Sequence, residues 1–314
     1  MDKFSFELLS LVKEQFEKVI GNKKYQIPDV GKEFSARQFY FENLADNLFE
    51  SMTPQVLSQY SNGSGNELED KMKALRSSSA MTYNLLGNDD IVLYGNSRLG
   101  AGKYSLQYEW QGHTLKAGLR GQPANIDAML VCKDTGEIIA AEMKMSEWIF
   151  NSPGKLKSVY LNCENYDDKE AGALFTEIAN ALIKPVSDYE TDPQNQTEYL
   201  PFLTKYDGLQ MLKHSVALYN ACKEKRMCCK KLTLVNSVWE PNFTDKLSES
   251  AKEKYAVALS SEHSEFNVFY SEMQPVKNLF RTLGIDFDIQ YYSLSDFAKN
   301  ITLSEQRSAY LQRY

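Results

Sequence analysis

One stretch decides the fold, and it reads NIDAMLV at 125–131, DTG at 134–136 and IIAAEMK at 138–144. Two strongly apolar segments with strand-favouring residues flank a group of turn-forming residues. Apolar runs of this length on either side of a turn are typical of a β-hairpin. We therefore predict two antiparallel strands joined at 134–136.

Ionic residues interrupt both apolar segments, Asp127 in the first and Glu142 and Lys144 in the second. An unpaired charge in a buried strand costs on the order of several kcal/mol unless a metal ion or a partner compensates it. Three such residues in one hairpin therefore indicate a functional site.

The hairpin register relates these charges in space. A register centred between Asp134 and Thr135 places Asp127 opposite Glu142, with Cβ atoms about 4.5–5.5 Å apart, close enough to share one cation. Because strand side chains alternate between faces, Glu142 and Lys144 project to the same side and Met143 to the other. A bulge at Gly136 would move this register by one residue.

These residues resemble the PD-(D/E)XK nuclease superfamily. Its (D/E)xK element corresponds to Glu142-Met143-Lys144, and its preceding acid to Asp127. The Pro-Asp of the family is replaced here by Ile126-Asp127. The apolar flanks, the turn and the upstream Asp at hairpin distance carry the resemblance.

The resemblance implies an α/β fold with a restriction-endonuclease-like αβββαβ core, in which helices flank a central mixed sheet. Hydrophobic periodicity along the chain predicts the same order of elements. In this interpretation residues 61–240 form the core, with an insertion at about 146–203 that shapes the substrate site or only extends the packing. A helical extension at 1–60 precedes the core, and an extension at 241–314 adds a helix and a strand.

Periodicity and breaker residues give the individual elements. Residues 61–65 are predicted to form a flexible break, and Pro54 lies inside or between helical segments. Three serines at 77–79 are poor residues for a helix interior, and we interpret them as small residues for close packing or as hydroxyls for substrate phosphates. Helices are predicted at about 4–20, 35–60, 66–86, 171–183 and 204–225, and further strands at 104–110, 231–238 and 287–292.

Both core helices are expected to contribute to the site. In the family a helical Glu often points toward the metal, and Glu67 is the candidate here, with Glu69 as the fallback. The alternative is that both are solvated acids that stabilise a helix N-terminus. On the second core helix the resemblance favours Gln210 as support for the site, with Tyr206 one turn earlier on the same face; His214 is a weaker candidate.

The chemistry expected of these groups is metal-assisted hydrolysis. Mg²⁺ prefers oxygen ligands, typically one or two carboxylates with water and substrate phosphate. Asp127 and Glu142 would supply carboxylates, Glu67 a further one and Met143 its backbone carbonyl; Mn²⁺ could substitute. Lys144 would orient or activate the attacking water and stabilise the transition state, and an ion pair with Glu142 is compatible with that role.

Composition limits the class of protein. The 314 residues carry a net charge of −7 and 43% hydrophobic residues, enough for a packed core and mildly against a nonspecific nucleic-acid coat. No segment approaches a membrane span, a signal-peptide pattern is lacking, and the five cysteines form no C-x-x-C pair. We therefore expect a cytoplasmic protein.

The sequence predicts a Mg²⁺-dependent nuclease with DNA as the expected partner, RNA left open, no membrane partner, and a homodimer as a further option. The alternative is a catalytically silent module of the same fold that binds nucleic acid or protein. A cluster of basic residues is either a phosphate-contacting patch or a set of cations at a helix C-terminus. It comprises Lys213, Lys223, Lys225, Arg226, Lys230 and Lys231.

Overall fold

A mixed six-stranded sheet flanked by helices organises the α/β fold of this protein. The computed structural model describes residues 1–63, 67–94, 98–119, 123–150, 153–185, 189–191 and 197–314. The strands are β1 (Ile91–Leu93), β2 (Gly102–Gly112), β3 (Ala124–Cys132), β4 (Ile138–Lys144), β5 (Leu156–Lys157), β6 (Tyr189–Thr191), β7 (Thr197–Tyr199), β8 (Lys231–Val238) and β9 (Asp286–Ser293).

The helices pack on both faces of this sheet. They are α1 (Lys3–Ile20), α2 (Pro54–Asn62), α3 (Ser78–Leu86), α4 (Glu147–Phe150), α5 (Lys169–Ala181), α6 (Gly208–Lys223), α7 (Glu249–Glu272), α8 (Gln274–Thr282), α9 (Leu294–Ala298) and α10 (Glu305–Leu311).

The strands of the main sheet lie in the order β1-β2-β3-β4-β8-β9. The first four run antiparallel to their neighbours, whereas β8 is parallel to β4 and β9 is parallel to β8. The predicted strands at 231–238 and 287–292 are confirmed as β8 and β9. Within the predicted insertion, α5 is followed by β6 and β7, which form a small second sheet with β5.

The predicted hairpin register is confirmed. Ala128 pairs with Ala141 and Val131 with Ile138, with two further pairs between them. Gly136 adopts a φ of 69°, a left-handed conformation that glycine reaches without a Cβ clash. The turn therefore closes without shifting the register.

Strand β4 is buried on both faces. Ile139, Ala141 and Met143 face a hydrophobic cluster that includes α1, α2 and α3. Ile138 and Ala140 face a second cluster built with α5, α6 and α8. A charged residue on this strand therefore has to find its partners inside the protein.

The helix predicted at 35–60 is wrong over most of its length. Three-residue and four-residue 3-10 turns occur at Arg37–Phe39 and Leu44–Asn47, and α2 begins only at Pro54. Proline suits the first helical position because it needs no N–H donor there, and the Thr53 hydroxyl caps the helix. Of the predicted break at 61–65, residues 61 and 62 end α2, and 64–65 lie outside the described residues.

The helix predicted at 66–86 is also shorter than expected. Residues 67–70 form turns, Lys71–Lys73 is a 3-10 turn, and α3 begins at Ser78. The Ser77 hydroxyl accepts a hydrogen bond from the Ala80 N–H at 3.1 Å, which is the N-cap arrangement. The serine run therefore marks a helix start.

The other elements match the predicted ones closely. The helix expected at 4–20 is α1, that at 171–183 is α5 and that at 204–225 is α6, while the strand at 104–110 lies within β2. None of the helices in the described ranges combines the length and apolar character needed to cross a bilayer.

Ser77→Ala should lower the free energy of unfolding by about 1 kcal/mol, because α3 loses its N-cap. Urea denaturation monitored by circular dichroism measures the change. The neighbouring Ser78→Ala leaves the cap in place and serves as the control. Equal stability of Ser77→Ala and the native protein would show that the cap does not stabilise α3.

Candidate functional site

Asp127 is fixed against the neighbouring strand where the β3–β4 pairing ends. Its Oδ2 accepts a hydrogen bond from the Met143 N–H at 2.7 Å. Continued by one pair beyond Ala128 and Ala141, the observed register places Asp127 opposite Glu142. The two predicted carboxylates therefore come together at the carboxyl end of β4.

Glu142 is only 2% exposed and is held by three side chains. Lys144 Nζ lies 2.8 Å from its Oε1, and the amide of Gln210 donates to the same oxygen at 2.9 Å. His214 Nε2 lies 3.0 Å from Oε2. Lys144 also donates to Gln210 Oε1 at 2.6 Å, so Glu142, Lys144 and Gln210 form a closed triangle.

The electrostatics of this triangle keep Glu142 and Lys144 charged. Burial alone would raise the pKa of Glu142, but Lys144 and His214 outweigh it and lower the pKa to about 2. Burial alone would lower the pKa of Lys144, yet the negative charge of Glu142 raises it above its ordinary value. A fixed ammonium group is thus maintained beside the carboxylates.

A further acid, Glu109 on β2, was missed from the sequence. Its side chain is buried, with 8% of the residue exposed. Its backbone has a φ of 51°, and the β2–β3 pairing is interrupted here, between the pairs formed by Tyr108 and Trp110. The same register places it opposite Asp127. The Asn125 amide donates to Glu109 Oε2. In the sequence Glu109 looks like an ordinary solvent-facing residue of an alternating strand, and no motif predicts its left-handed backbone.

Among the described residues no lysine or arginine forms an ion pair with Glu109 or Asp127, and Lys71 and Lys144 act on them only at longer range. Burial raises the pKa of Glu109 to about 7, opposed by the Asn125 amide and reinforced by Glu67 and Glu142. Burial, Glu142 and Glu109 hold the pKa of Asp127 well above its usual range. Within the part of the chain that the structure describes, this side of the site carries more carboxylates than cations, an arrangement that a bound cation would stabilise.

Glu67 lies at the margin of the cluster. It belongs to a turn and not to a helix, because α3 starts only at Ser78, so its predicted helical position is wrong. Its carboxylate accepts the Ser79 hydroxyl at 2.8 Å and pairs with Lys71 at 2.9 Å. Glu67 is thus close enough to act electrostatically on Glu109, whereas the fallback Glu69 is exposed.

Helix α6 brings Gln210 and His214 to Glu142. Tyr206 precedes the helix, and its side chain points away from Glu142. The Tyr206 ring packs against Phe266 and Phe269, and its buried hydroxyl has no hydrogen-bond partner among the described residues. The sequence made His214 a weaker candidate than Gln210, whereas the structure places it in contact with Glu142. The available signal was its spacing of four residues from Gln210, which puts both on one helix face.

The basic cluster is partly neutralised by ion pairs. Lys223 pairs with Asp168, Arg226 with Glu224 at 2.5 Å and Lys231 with Glu137 at 2.6 Å. Burial lowers the pKa of Lys213. The nearby charge of Asp207 opposes this shift, and that of Lys144 adds to it. Lys213 is therefore the member of the cluster associated with the site.

A second group of potential metal ligands lies apart from these residues. His113 Nε2 is 3.2 Å from Asp167 Oδ2 and 3.0 Å from Glu224 Oε1, and the three ligand atoms fit around one ion. Arg226 donates to His113 Nδ1 at 2.9 Å, so the ring proton resides on Nε2 and is donated to the carboxylates. Hydrogen bonding alone accounts for this cluster.

Asp127, Glu142 and Glu109 together offer the oxygen ligands that a hard divalent cation prefers, and Lys144 adds a fixed positive charge beside them. The residue types therefore suit Mg²⁺, but among the described residues three ligand atoms lie within 4.8 Å of one another only in the His113 cluster. No protein-family model, curated protein or solved structure matches this chain. The family resemblance accordingly rests on these residues and their geometry.

A separate buried acid, Glu262 of α7, lines a cavity of about 190 Å³ together with Lys144, Lys205 and Asp207. It is 1% exposed, and its Oε2 has no hydrogen-bond partner in the described ranges. Burial and the neighbouring Glu265 raise the pKa of Glu262 to about 8, although Lys144 opposes the shift.

Glu262→Gln should reduce the loss of stability with rising pH. The folded protein holds a proton on Glu262 up to about pH 8, whereas the unfolded chain releases it near its ordinary pKa of about 4.3. Unfolding therefore releases a proton between these values and becomes more favourable as pH rises. Glutamine stays neutral and removes this contribution.

Urea unfolding at about pH 5 and about pH 8 measures the difference between Glu262→Gln and the native protein. Glu253→Gln, at an exposed position of the same helix, is the matched control. An identical pH dependence for native protein and Glu262→Gln would contradict the assignment of a protonated Glu262.

Proposed function

We propose that this protein is a Mg²⁺-dependent nuclease that hydrolyses phosphodiester bonds, with DNA as the expected substrate. The observation that best supports this proposal is that Asp127 and Glu142 lie opposite each other at the carboxyl end of β4. The Lys144 ammonium lies 2.8 Å from Glu142. This is the constellation that the sequence resemblance to PD-(D/E)XK nucleases implies.

The order of elements supports the same proposal. When the short strand β1 and the elements between β4 and α6 are set aside, α3 is followed by β2, β3 and β4, and then by α6 and β8, which corresponds to an αβββαβ core. Strand β1 and strand β9 extend the sheet at its two edges. We therefore propose a restriction-endonuclease-like core within the α/β fold.

The acids divide into two environments with different roles. Asp127 and Glu142 are the proposed metal ligands, and Glu109 is added to them because it adjoins Asp127 and forms no ion pair with a described lysine or arginine. When bound, Mg²⁺ would supply a Lewis acid that offsets charge developing on the phosphate and activates water. Glu67 supports the cluster electrostatically.

Lys144 keeps its proton and presents positive charge toward the reacting phosphate, where negative charge accumulates in the transition state. Gln210 fixes this ammonium group through its Oε1 and fixes Glu142 through its amide. His214 holds the other carboxylate oxygen. Gln210 and His214 are positioning residues, because they act through Lys144 and Glu142.

The alternative is a catalytically silent module that binds nucleic acid or protein. Burying Glu142 and Lys144 costs free energy that a purely structural core could avoid by using apolar residues. Keeping several acids around Asp127 adds to that cost. These charges favour the nuclease over the silent module.

Asp127→Asn and Lys144→Ala should each lower the cleavage rate roughly 100-fold or more, because each removes a charge that acts on the transition state. Cleavage is measured with Mg²⁺ or Mn²⁺ on single-stranded, duplex and branched DNA and on RNA. The exposed Glu69→Gln and the hairpin-turn variant Lys133→Ala are matched controls that should retain full activity.

Undiminished cleavage by folded Asp127→Asn or Lys144→Ala would refute the assigned roles. Binding of these nucleic acids without cleavage of any of them by the native protein would favour the silent module. Circular dichroism of each variant separates loss of chemistry from loss of folding.

Mg²⁺ should raise the stability of the native protein through preferential binding to the folded state, by about 2.7 kcal/mol at a concentration 100 times its Kd. Thermal denaturation with Mg²⁺ and with EDTA measures this difference. Asp127→Asn should abolish the Mg²⁺-dependent increment, and Glu109→Gln should reduce it. An unchanged increment in Glu109→Gln would remove Glu109 from the proposed ligand set.

A further inference from the structure

A cavity of about 690 Å³ opens at the carboxyl end of the edge strand β9, lined by α7 on one side and by residues in and just after α9 on the other. Its described lining includes His263 and Phe266 from the helix and Tyr291 and Tyr292 from the strand. The volume is within the usual range for small-molecule sites. None of these residues takes part in the proposed catalytic cluster.

The parallel strands set the distance between this cavity and the catalytic lysine. Lys144 is aligned with Val238 on β8, which in turn is aligned with Ser293 on β9. Neighbouring strands are about 4.8 Å apart, so the cavity edge lies about 10 Å from Lys144 along the row. Three stacked nucleotides, at about 3.4 Å each, span that distance.

Aromatic rings form one wall of the cavity and are held in place. The Phe266 and Tyr291 ring centroids are 5.3 Å apart, and those of His263 and Tyr291 are 5.2 Å apart. Glu240 Oε1 accepts the Tyr291 hydroxyl at 3.1 Å and lies 2.9 Å from His263 Nε2. Phe266, Tyr291 and Tyr292 are half-buried, so part of each side chain remains open to a ligand.

The charged residues of the lining indicate which part of a nucleotide, the phosphate or the base, the cavity would accept. Of the charged residues in the described lining, Arg98 is cationic, whereas Glu240 and Asp296 are anionic. The two carboxylates oppose the entry of a phosphate group, and Lys299, 2.7 Å from Asp296, offsets part of their charge. A flat, neutral group with hydrogen-bonding edges avoids this repulsion, stacks on the rings and can bond to the amide of Asn267; the Asn300 amide already donates to the Asp296 and Phe297 carbonyls.

We propose that this cavity binds an unpaired base of the strand that is cut, which makes single-stranded nucleic acid, or a single-stranded segment of a larger one, the substrate class. The proposal rests on the nuclease function proposed above. A base that remains paired inside a duplex cannot enter the cavity, so fully duplex substrates forgo this contact.

Abasic scanning tests the proposal. The native protein is given Mg²⁺ and a single-stranded oligonucleotide that lacks one base at a time, and KM and kcat are measured for each position. Loss of the base at one fixed distance from the cut should raise KM roughly 5- to 150-fold, the range for a lost base–aromatic stack. A fully paired duplex of the same sequence should show a similarly raised KM.

The same scan with Tyr292→Ala and with Asn267→Ala connects the effect to the cavity. Both variants should bind the intact strand more weakly, and Tyr292→Ala should lose the sensitivity to the abasic position. Val268→Ala, 42% exposed on the same helix and outside the described lining, should behave like the native protein. Equal KM at every abasic position, or unchanged sensitivity in Tyr292→Ala, would overturn the proposal.

Failure of the base site and failure of the nuclease give different results. Cleavage that depends on Lys144 but is indifferent to abasic position contradicts only the base site. If nothing is cleaved, quenching of 2-aminopurine fluorescence in the same oligonucleotide reports base stacking directly. Quenching by the native protein that is lost in Tyr292→Ala would then support the base site while contradicting the nuclease.

Discussion

The buried carboxylate of Glu142 is the constraint on which the rest of the site depends. Strand β4 is covered on both faces, so this charge cannot be solvated and has to be matched from inside the protein. Lys144 supplies the opposite charge two residues further along the strand, and α6 supplies Gln210 and His214. The position of α6 over the sheet is therefore tied to the chemistry of a single side chain, because any shift of the helix would leave Glu142 with unmatched oxygens.

Charge is balanced unequally on the two sides of Glu142. Toward α6, the ammonium of Lys144 and the ring of His214 stabilise the ionised carboxylate and hold its pKa low. Toward β3 and β2, Asp127 and Glu109 accept hydrogen bonds from an N–H and an amide, and the pKa of each is raised by burial. A protein gains no stability from such an arrangement by itself. The unequal balance is therefore the main physical argument that the site is built for a cation.

Sequence patterns correctly predicted those parts of the site that depend on the geometry of neighbouring residues. The turn residues predicted a register centred between Asp134 and Thr135, which is the observed β3–β4 register, whereas Gln210 was named from the family resemblance. Glu109 was not predicted as a site residue because its position depends on a φ of 51° in the middle of a strand. No side-chain pattern in the sequence predicts that backbone conformation. Glu67 was assigned to a helix because small and apolar residues continue the helical spacing upstream of Ser77, whereas the Ser77 hydroxyl caps the helix and starts it later.

Topology explains why Lys144 and the aromatic cavity share one edge of the sheet. Strands β4, β8 and β9 are parallel, so their carboxyl ends meet at the same edge, and ligands of open α/β sheets commonly bind there. The antiparallel β3 brings Asp127 to this edge from the opposite direction, since its chain starts where β4 ends. A strand added antiparallel in place of β9 would put its amino end beside Lys144 and carry Tyr291 and Tyr292 to the far edge. The parallel addition of β9 is thus the structural condition for the proposed base contact within reach of Lys144.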